Sequence, residues 1–251
     1  MMRAVTAVIA AGRRILPRGY RDFARQLLIW VGFLVAYQLA RGVADRNPAD
    51  ALRHGLAVID LQERLGGLWE LSLQGALLSS DFLMTLTSWT YWLSQFAVLG
   101  FALLFVYVRR NYAFLRFRNT ILAANVIGLA GYIAFPTAPP RMFGQFGFVD
   151  VLAQFSSLNH GSAVVELASN PYAAMPSLHA ADALIVGVTM ALVVRRWAFK
   201  ALWLAWPAWV AFCVMATGNH FWLDIVAGAV VALLAATAVA AMSLRWAPAR
   251  A

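Results

Sequence analysis

Charged residues are scarce in this sequence. Only 12% of its 251 residues are Asp, Glu, Lys or Arg, whereas 62% are hydrophobic and the mean hydropathy is +0.70. An ordinary soluble domain is about one quarter charged and about half apolar. Because so few polar side chains cannot cover a surface that faces water, we expect an integral membrane protein. The same composition excludes an intrinsically disordered chain and a collagen-like repeat.

Cysteine and lysine are almost absent, with one residue of each. The single Cys213 cannot form an internal disulfide, which excludes a disulfide-stabilised scaffold. Arginine supplies nineteen of the 20 basic residues, and most of these lie in short clusters between long apolar runs. The net charge of +9 therefore indicates membrane topology, and no nucleic-acid partner is expected.

Six apolar runs predict an all-α bundle of six membrane-spanning helices, in one membrane domain that covers residues 1–251. The runs are Leu27–Ala40, Phe82–Val108, Thr120–Phe135, Pro176–Val194, Ala201–Thr217 and His220–Leu244. In segment 47–80, by contrast, apolar residues recur at roughly helical spacing among charged ones. This pattern is typical of an amphipathic helix lying in the membrane interface, and Gly66-Gly67 is expected to divide it in two.

The basic residues lie mostly on one side of the predicted helices. The two termini and the loops after the second and fourth helices hold 15 of the 20 basic residues. Because positively charged loops tend to stay in the cytoplasm, we expect both termini to be cytoplasmic, in the plasma membrane. The opposite, extracytoplasmic face then receives the ends of the third and fifth helices and the starts of the fourth and sixth.

Three polar clusters lie at those outer helix ends. They are Pro136–Arg141, Pro176–His179 and Asn219–Asp224. His220 and Asp224 are four residues apart, so on a helix they share one face and the carboxylate can hold one imidazole nitrogen. The other nitrogen is then unprotonated, which is how a nucleophilic histidine is prepared.

The remaining groups at this face fit a phosphate. His179 lies in the first turn of the predicted fourth helix, where free backbone N–H groups and the helix dipole favour an anion. Arg141 adds a planar cation that can bind two phosphate oxygens. Together these residues predict phosphoryl transfer through a phosphohistidine, in which His220 attacks phosphorus and His179 protonates the departing oxygen. Such a reaction needs no metal ion or other cofactor, and none is expected.

At these residues the sequence resembles the type 2 phosphatidic acid phosphatase (PAP2) superfamily, and within it the inositol phosphorylceramide synthase-like branch. Pro176-Ser-Leu-His179 is similar to the family motif Pro-Ser-Gly-His, and His220-Phe-Trp-Leu-Asp224 is similar to the end of Ser-Arg-x5-His-x3-Asp. The resemblance covers a catalytic core of about 119–244. It implies a six-helix core in which His220 is the nucleophile, Asp224 its partner and His179 the general acid. Ser177 and Arg141 would bind phosphate.

The sequence departs from the family pattern at two cations. Ala134 stands where the first family motif has Lys, and Cys213-Val214 stands where the third motif has Ser-Arg. Arg141 follows Pro140, whereas the family has Arg before Pro. Asn219 or Arg141 is expected to substitute for the missing cations in binding substrate.

Three further features leave alternatives open. Ser177 is either a helix cap or a substrate contact. Asp182, three residues after His179, is a candidate to orient that histidine, to bind a head-group hydroxyl as a substrate-binding residue, or to pair with a basic residue. It could equally be neutral or solvated in the active-site cavity. The loop from Met142 to Asn170 is either a partly apolar lid over the lipid or a plain surface loop.

The predicted activity is that of a phosphatase or phosphotransferase acting on a lipid phosphate at the outer membrane face. A phosphatase, in which water attacks the phosphohistidine, is slightly favoured because it needs no second site. A phosphotransferase similar to inositol phosphorylceramide synthase, in which an alcohol attacks, is the first alternative and agrees better with the motif details. A lipid-binding or transporting protein with a degenerate site is the second.

Overall fold

The computed structural model describes residues 16–44, 47–155 and 171–245, and in these ranges the chain is an all-α bundle. The helices are α1 (Gly19–Ala44), α2 (Pro48–Leu65), α3 (Trp69–Leu77), α4 (Asp81–Leu93), α5 (Leu99–Arg109), α6 (Asn111–Ala134), α7 (Val151–Phe155), α8 (Leu178–Val193), α9 (Trp197–Ala216) and α10 (Trp222–Arg245). A π-helical turn, Ser94–Val98, joins α4 to α5 without a break.

Four helical segments of the described chain are long and apolar enough to cross a membrane. They are Gly19–Ala40, Asp81–Arg109, Trp197–Ala216 and Trp222–Leu244. The two other predicted spans are helical but are not among these four segments. Helix α8 is apolar and has only 16 residues. Helix α6 has 24 residues and carries Arg116 and Arg118. The all-α membrane fold is confirmed, and the number of six spans stays a prediction.

Several helices begin at other residues than the apolar runs indicate. Helices α6 and α9 start at Asn111 and Trp197, before the predicted Thr120 and Ala201. Helix α1 starts at Gly19, eight residues before the predicted Leu27, and its carboxylate Asp22 has partners: it pairs with Arg25 at 2.7 Å and accepts a hydrogen bond from Tyr107 Oη at 3.0 Å. Helix α10 starts at Trp222, so His220 precedes the helix and lies on the turn before it.

Helix α8 is the centre of the bundle and packs against α6, α9 and α10. Glycines bring two of these neighbours close to its N-terminus. A Cβ at Gly228 of α10 would lie 2.3 Å from the carbonyl oxygen of Ser177, and a Cβ at Gly128 of α6 would lie 2.6 Å from a methyl group of Leu178. Leu178, which replaces a glycine of the family motif, therefore fills the space that Gly128 leaves open.

Helices α2 and α3 cover the polar end of the bundle. The predicted break between them is confirmed, since α2 ends before Gly66 and Gly67, whose φ angles are +132° and +103°. The buried face of α2 includes Val58 and Ile59, which form an apolar cluster with Phe143 and Phe221. The amphipathic segment thus packs on the protein itself; its place in the membrane interface stays a prediction.

The first part of the loop that follows α6 is packed against this cover. It forms two short 3-10 turns, Pro140–Met142 and Gly144–Phe146, and then α7. Phe143 is 2% exposed and lies against Gly55 of α2. These residues therefore belong to the fixed body of the protein, while the rest of the predicted lid, 156–170, lies outside the described residues.

Candidate active site

A tight turn between α9 and α10 presents His220. Helix α9 ends at Ala216, and Gly218 adopts a positive φ of +71°, which a glycine tolerates best. The N–H groups of Asn219 and His220 both donate to the carbonyl of Val214, at 3.0 and 3.1 Å. This hydrogen bonding across the helix end, of the kind found in a Schellman motif, fixes the backbone from which the His220 side chain starts.

The imidazole of His220 is oriented from its Nδ1 side. Nδ1 lies 2.9 Å from the carbonyl oxygen of Ala174 and 3.4 Å from Oδ2 of Asp224. A carbonyl oxygen only accepts hydrogen bonds, so Nδ1 is the protonated nitrogen and Nε2 of the neutral ring carries the lone pair. The nearer acceptor is a backbone carbonyl that the sequence does not reveal, and the role of Asp224 as partner of His220 stays a prediction.

Burial keeps His220 uncharged. Its side chain is almost fully buried, and this desolvation lowers its pKa to about 3, with the hydrogen bond to Ala174 acting in the opposite direction and the charge of Arg141 in the same one. At neutral pH the ring is thus neutral, and Nε2 is available as a nucleophile.

The second histidine faces the first across a short gap. His179 lies in the first turn of α8, and the centroid of its ring is 5.6 Å from that of His220, with 58° between the ring planes. The ring of Tyr91 from α4 stacks on His179 at 4.3 Å and 23°. The structure therefore brings the two predicted histidines together. It also places against His179 an aromatic ring, that of Tyr91, which no motif in the sequence singles out.

Ser177 and Asp224 connect the two histidine motifs. The Ser177 hydroxyl accepts a hydrogen bond from the Ala180 N–H at 3.3 Å, so this residue is the N-cap of α8. Its own N–H donates to the carbonyl oxygen of Asp224 at 2.9 Å, and the Asp224 carboxylate accepts from the Phe221 N–H at 2.8 Å. The capping alternative for Ser177 is confirmed, and the substrate contact stays a prediction.

Arg141 reaches the same turn. Its backbone N–H donates to the Gly218 carbonyl at 2.8 Å, and its Nη1 donates to Oδ1 of Asn219. Its Nε lies 3.7 Å from Oδ2 of Asp150. Asn219 in turn donates to the Thr217 hydroxyl at 2.8 Å, so its side chain links the Arg141 guanidinium to the turn. Asn219 is only 2% exposed, so its amide is occupied by protein partners. Its predicted contact with substrate stays a prediction.

The sequence profile of the PAP2 superfamily matches residues 56–238, which is most of the chain and includes every residue of this site. The chain belongs to the PAP2 superfamily. The predicted membership is confirmed, and it agrees with the predicted enzyme of the phosphatase or phosphotransferase type.

Two known proteins are similar to this chain. A protein of Bacteroides thetaiotaomicron named phosphoinositol dihydroceramide synthase is 30% identical over 156 residues, which are 57% of this chain and 50% of that protein. The chain thus spans about half the length of that relative. The crystal structure of Aquifex aeolicus LpxE matches with a TM-score of 0.52 and 16% identity, over 68% of this chain and 92% of that one. This second likeness concerns the fold.

The structure shows what surrounds the two PAP2 cation positions that this chain has lost. Val214, in place of Arg, is fully buried in an apolar cluster with Ala183 and Val210. Ala134, in place of Lys, is the last residue of α6. Val214 instead contributes its carbonyl, which anchors the turn that carries His220.

Asp182 lies on α8, three residues after His179, in the interior of the bundle. Its side chain is 3% exposed. It accepts hydrogen bonds from two amides, Asn125 at 3.1 Å and Gln95 at 2.9 Å. These donors, rather than the basic residue considered from the sequence, are the partners of the carboxylate. The predicted contact of Asp182 with substrate stays a prediction.

Sequence reasoning missed the polar side chains that fasten α2 and α3 to the site. Glu70 is fully buried and accepts hydrogen bonds from the Trp222 N–H and, at 3.2 Å, from Gln62 Nε2. Burial raises the pKa of Glu70, and the hydrogen bond from Trp222 acts against that rise. Gln74 bonds to Val149 at both ends of its amide, at 3.0 and 2.8 Å. The spacing of Glu70 and Gln74, one helical turn, was the available signal.

Proposed function

We propose that this protein transfers a phosphate-bearing group from a membrane lipid through a covalent phosphohistidine at His220. The observation that carries the proposal is the geometry of the histidine pair. The Ala174 carbonyl fixes the proton on Nδ1 of His220, and the His179 ring centroid lies 5.6 Å from the His220 ring. A nucleophile and a proton donor on either side of one bond are what a two-step displacement requires.

The reaction runs in two displacements at phosphorus. Nε2 of His220 forms a bond to phosphorus while the bond to the leaving oxygen breaks, and His179, protonated beside the bound phosphate anion, gives its proton to that oxygen. The acceptor oxygen then forms a bond to phosphorus while the N–P bond breaks, and its proton passes to His179. Arg141 stabilises the charge on the phosphate oxygens in both steps. His220 and His179 return to their starting protonation states.

The charge of the site favours a singly charged phosphate. The Arg141 guanidinium is hydrogen-bonded to Asn219 at the His220 turn. Its Nε lies 3.7 Å from the carboxylate of Asp150, which offsets part of its positive charge. Val214 and Ala134 add no charge where the family has Arg and Lys. A phosphodiester carries one negative charge, whereas a phosphomonoester carries nearly two at neutral pH. A phosphodiester lipid therefore matches the site better than a monoester.

Water and an alcohol are the two candidate acceptors. Hydrolysis needs no further binding site and would make the protein a lipid phosphatase or phosphodiesterase. The relative named phosphoinositol dihydroceramide synthase favours the second candidate, transfer to an alcohol. A lipid-binding or transport function without chemistry is the remaining alternative.

The arginine distribution supports an extracytoplasmic active site. Arg195 and Arg196 lie in the turn between α8 and α9, at the end of these helices opposite to His179 and the His220 turn. Placing this basic turn in the cytoplasm puts the histidine pair at the outer face of the plasma membrane.

Labelled lipids test the proposal directly. Purified protein is incubated with phosphatidic acid, a prenyl diphosphate and phosphatidylinositol that carry ³²P, with and without an added alcohol. Inorganic phosphate or a released phosphorylated head group indicates hydrolysis, and a new phosphodiester indicates transfer. We expect faster turnover of the diester and an acid-labile label on the protein.

Matched histidine variants identify the nucleophile. His220→Gln should abolish both label and turnover, since an amide can still bond to Ala174 but cannot attack phosphorus. His54→Gln is the control, because His54 lies at the same end and its Nδ1 is 2.8 Å from the Pro136 carbonyl. Label retained in His220→Gln would contradict the assignment. A wild-type protein that turns over none of the lipids would favour binding or transport.

A further inference from the structure

Asp182 is a buried carboxylate that the proposed reaction does not use. Its Oδ2 accepts from Gln95 Nε2 at 2.9 Å, and its Oδ1 accepts from Asn125 Nδ2 at 3.1 Å. A carboxylate inside a membrane bundle is costly even with donors, so its presence calls for a task beyond packing. The two donors come from different segments, the π-helical turn after α4 and helix α6, so the carboxylate joins three parts of the bundle at one point.

The contact between Asp182 and Gln95 lies one helical turn from the general acid. Gln95 follows Tyr91 by four residues, with the start of the π-helical turn between them, and Asp182 follows His179 by three residues on one face of α8. Tyr91 stacks on His179, with 4.3 Å between the ring centroids. The same two segments are therefore joined twice in succession, by the ring contact at the active site and by the amide–carboxylate contact below it.

The helix that carries Tyr91 changes geometry between these two contacts. Residues Ser94–Val98 form a π-helical turn, and the Ser94 hydroxyl donates to the Tyr91 carbonyl at 3.0 Å. A π turn contains an additional residue, which alters the angular relation between the residues before and after it, and such turns are frequent at functional sites. Gln95 lies in this turn. Its bond to Asp182 thus fixes the helix where its register differs from that of a regular α-helix.

We propose that Asp182 is a positioning residue for the general acid. Its hydrogen bond with Gln95 sets the register of α4 against α8, and this register keeps the Tyr91 ring against His179. The imidazole is thereby held in the orientation from which it protonates the leaving oxygen. The inference rests on the proposed function, because it requires His179 to act as that acid. Asp182 itself contacts amides and acts through them.

Two substrates with different leaving groups separate this role from a structural one. The substrates are an alkyl phosphodiester, whose leaving oxygen needs a proton, and the corresponding nitrophenyl ester, whose leaving oxygen does not. For Asp182→Ala and Gln95→Ala we expect kcat on the alkyl ester to fall by about 10-fold or more, a fraction of what general-acid catalysis provides. The nitrophenyl ester should lose no more than about 2-fold, with KM unchanged for both. His179→Ala should show the same pattern more strongly.

Partial replacement and a buried-polar control complete the design. Asp182→Asn should recover part of the loss, since an amide oxygen still accepts from Gln95. The double variant Asp182→Ala/Gln95→Ala should be no slower than Asp182→Ala, because the two changes remove the same hydrogen bond between Gln95 and Asp182. Thr120→Val is the control: it removes a buried hydroxyl of the same helix, α6, that donates to the Arg116 carbonyl at 2.9 Å and has no part in the Asp182 contacts. Its kcat should stay at the wild-type value.

Several results would overturn the inference. Equal losses on both esters per folded molecule would make Asp182 structural, and a raised KM with unchanged kcat would make it a substrate contact. If Asp182→Ala does not fold, Gln95→Ala decides, because that variant leaves the Asn125 donor in place. Wild-type protein inactive on both esters would refute the proposed function and this inference together. If His179→Ala loses more kcat on the alkyl ester than on the nitrophenyl ester and Gln95→Ala does not, the positioning role of Asp182 is refuted while the proposed function stands.

Discussion

Replacing Arg141 probes how a phosphate site works with a reduced set of cations. The side chain is bracketed by Asn219, and its Nε lies 3.7 Å from Asp150. The guanidinium has five N–H donors, and these two contacts involve only Nη1 and Nε, which leaves donors for phosphate oxygens. Arg141→Ala removes the charge and the donors together. Arg141→Lys keeps the charge and loses the planar arrangement.

The expected loss follows from the energy of one charge-assisted contact. Such a hydrogen bond contributes about 1.5–3 kcal/mol, which corresponds to a roughly 10- to 150-fold change in rate. Removal of a donor that stabilises transition-state charge has cost about 100-fold or more elsewhere. We therefore expect Arg141→Ala to lower kcat into or beyond that range. Arg141→Lys should recover only part of the loss.

Turnover per correctly folded molecule is the measurement, with labelled phosphodiester lipid as substrate and the folded amount determined by size-exclusion chromatography. Arg64→Ala is the matched control. Arg64 pairs with Asp60 at 2.8 Å on the surface of α2, and such exposed pairs contribute at most about 1 kcal/mol. Full specific activity in Arg141→Ala would refute the reasoning and remove this residue from the site. Equal activity of the Lys variant would show that charge alone matters.

Three further predictions concern packing, pH and topology. Gly228→Ala should lower stability by about 1–3 kcal/mol and reduce activity, because the new Cβ would lie 2.3 Å from the Ser177 carbonyl oxygen; Gly100→Ala, whose Cβ would meet nothing within 4 Å, should leave the melting temperature unchanged or higher. The pKa of His220 is lowered to about 3 by burial, so between that value and the usual 6.5 the unfolded chain binds the proton that the folded protein excludes. The free energy of unfolding should then fall as pH drops below about 6.5, by at most about 1.4 kcal/mol per pH unit, and denaturant titrations of His220→Gln should show a flatter dependence. In a Cys213→Ala background, Arg64→Cys should react with an impermeant thiol reagent added to intact cells and Arg196→Cys should not; the reverse pattern would place the histidine pair on the cytoplasmic side.

The helices and the histidine pair could be predicted because both depend on simple rules. Uncharged runs of about 20 residues form spanning helices, and alternate crossing of the membrane brings the starts and ends of particular helices to one face. This reasoning alone placed His179, His220 and Arg141 together, as the structure shows. Helix boundaries were less accurate. Runs stop at the first charge, whereas α1 continues through Asp22, whose Arg25 and Tyr107 partners make its position tolerable.

The partners of the site residues could not be predicted from the sequence, because they are backbone groups or distant amides. Ala174 contributes its backbone carbonyl, and any residue at this position has the same carbonyl, so the residue type does not indicate the contact. Gln95 and Asn125 meet Asp182 from positions 87 and 57 residues away. A single Gln or Asn in a predicted helix is compatible with many environments. Gln95 and Asn125 become partners of Asp182 only because their segments cross α8 at this point in the folded protein.

The length of α8, the predicted fourth span, bears on how deep in the membrane the proposed chemistry would take place. At about 1.5 Å per residue its 16 residues rise about 24 Å, some 6 Å less than the thickness of a typical hydrocarbon core. If α8 crosses the membrane as predicted, with Arg195 and Arg196 at the cytoplasmic boundary, we expect its His179 end to lie below the level at which lipid head groups normally sit. A lipid must therefore sink, or the bilayer must thin around the protein, before its phosphate meets the histidines. Catalysis is then coupled to membrane thickness, and activity should rise as the acyl chains of the host bilayer become shorter.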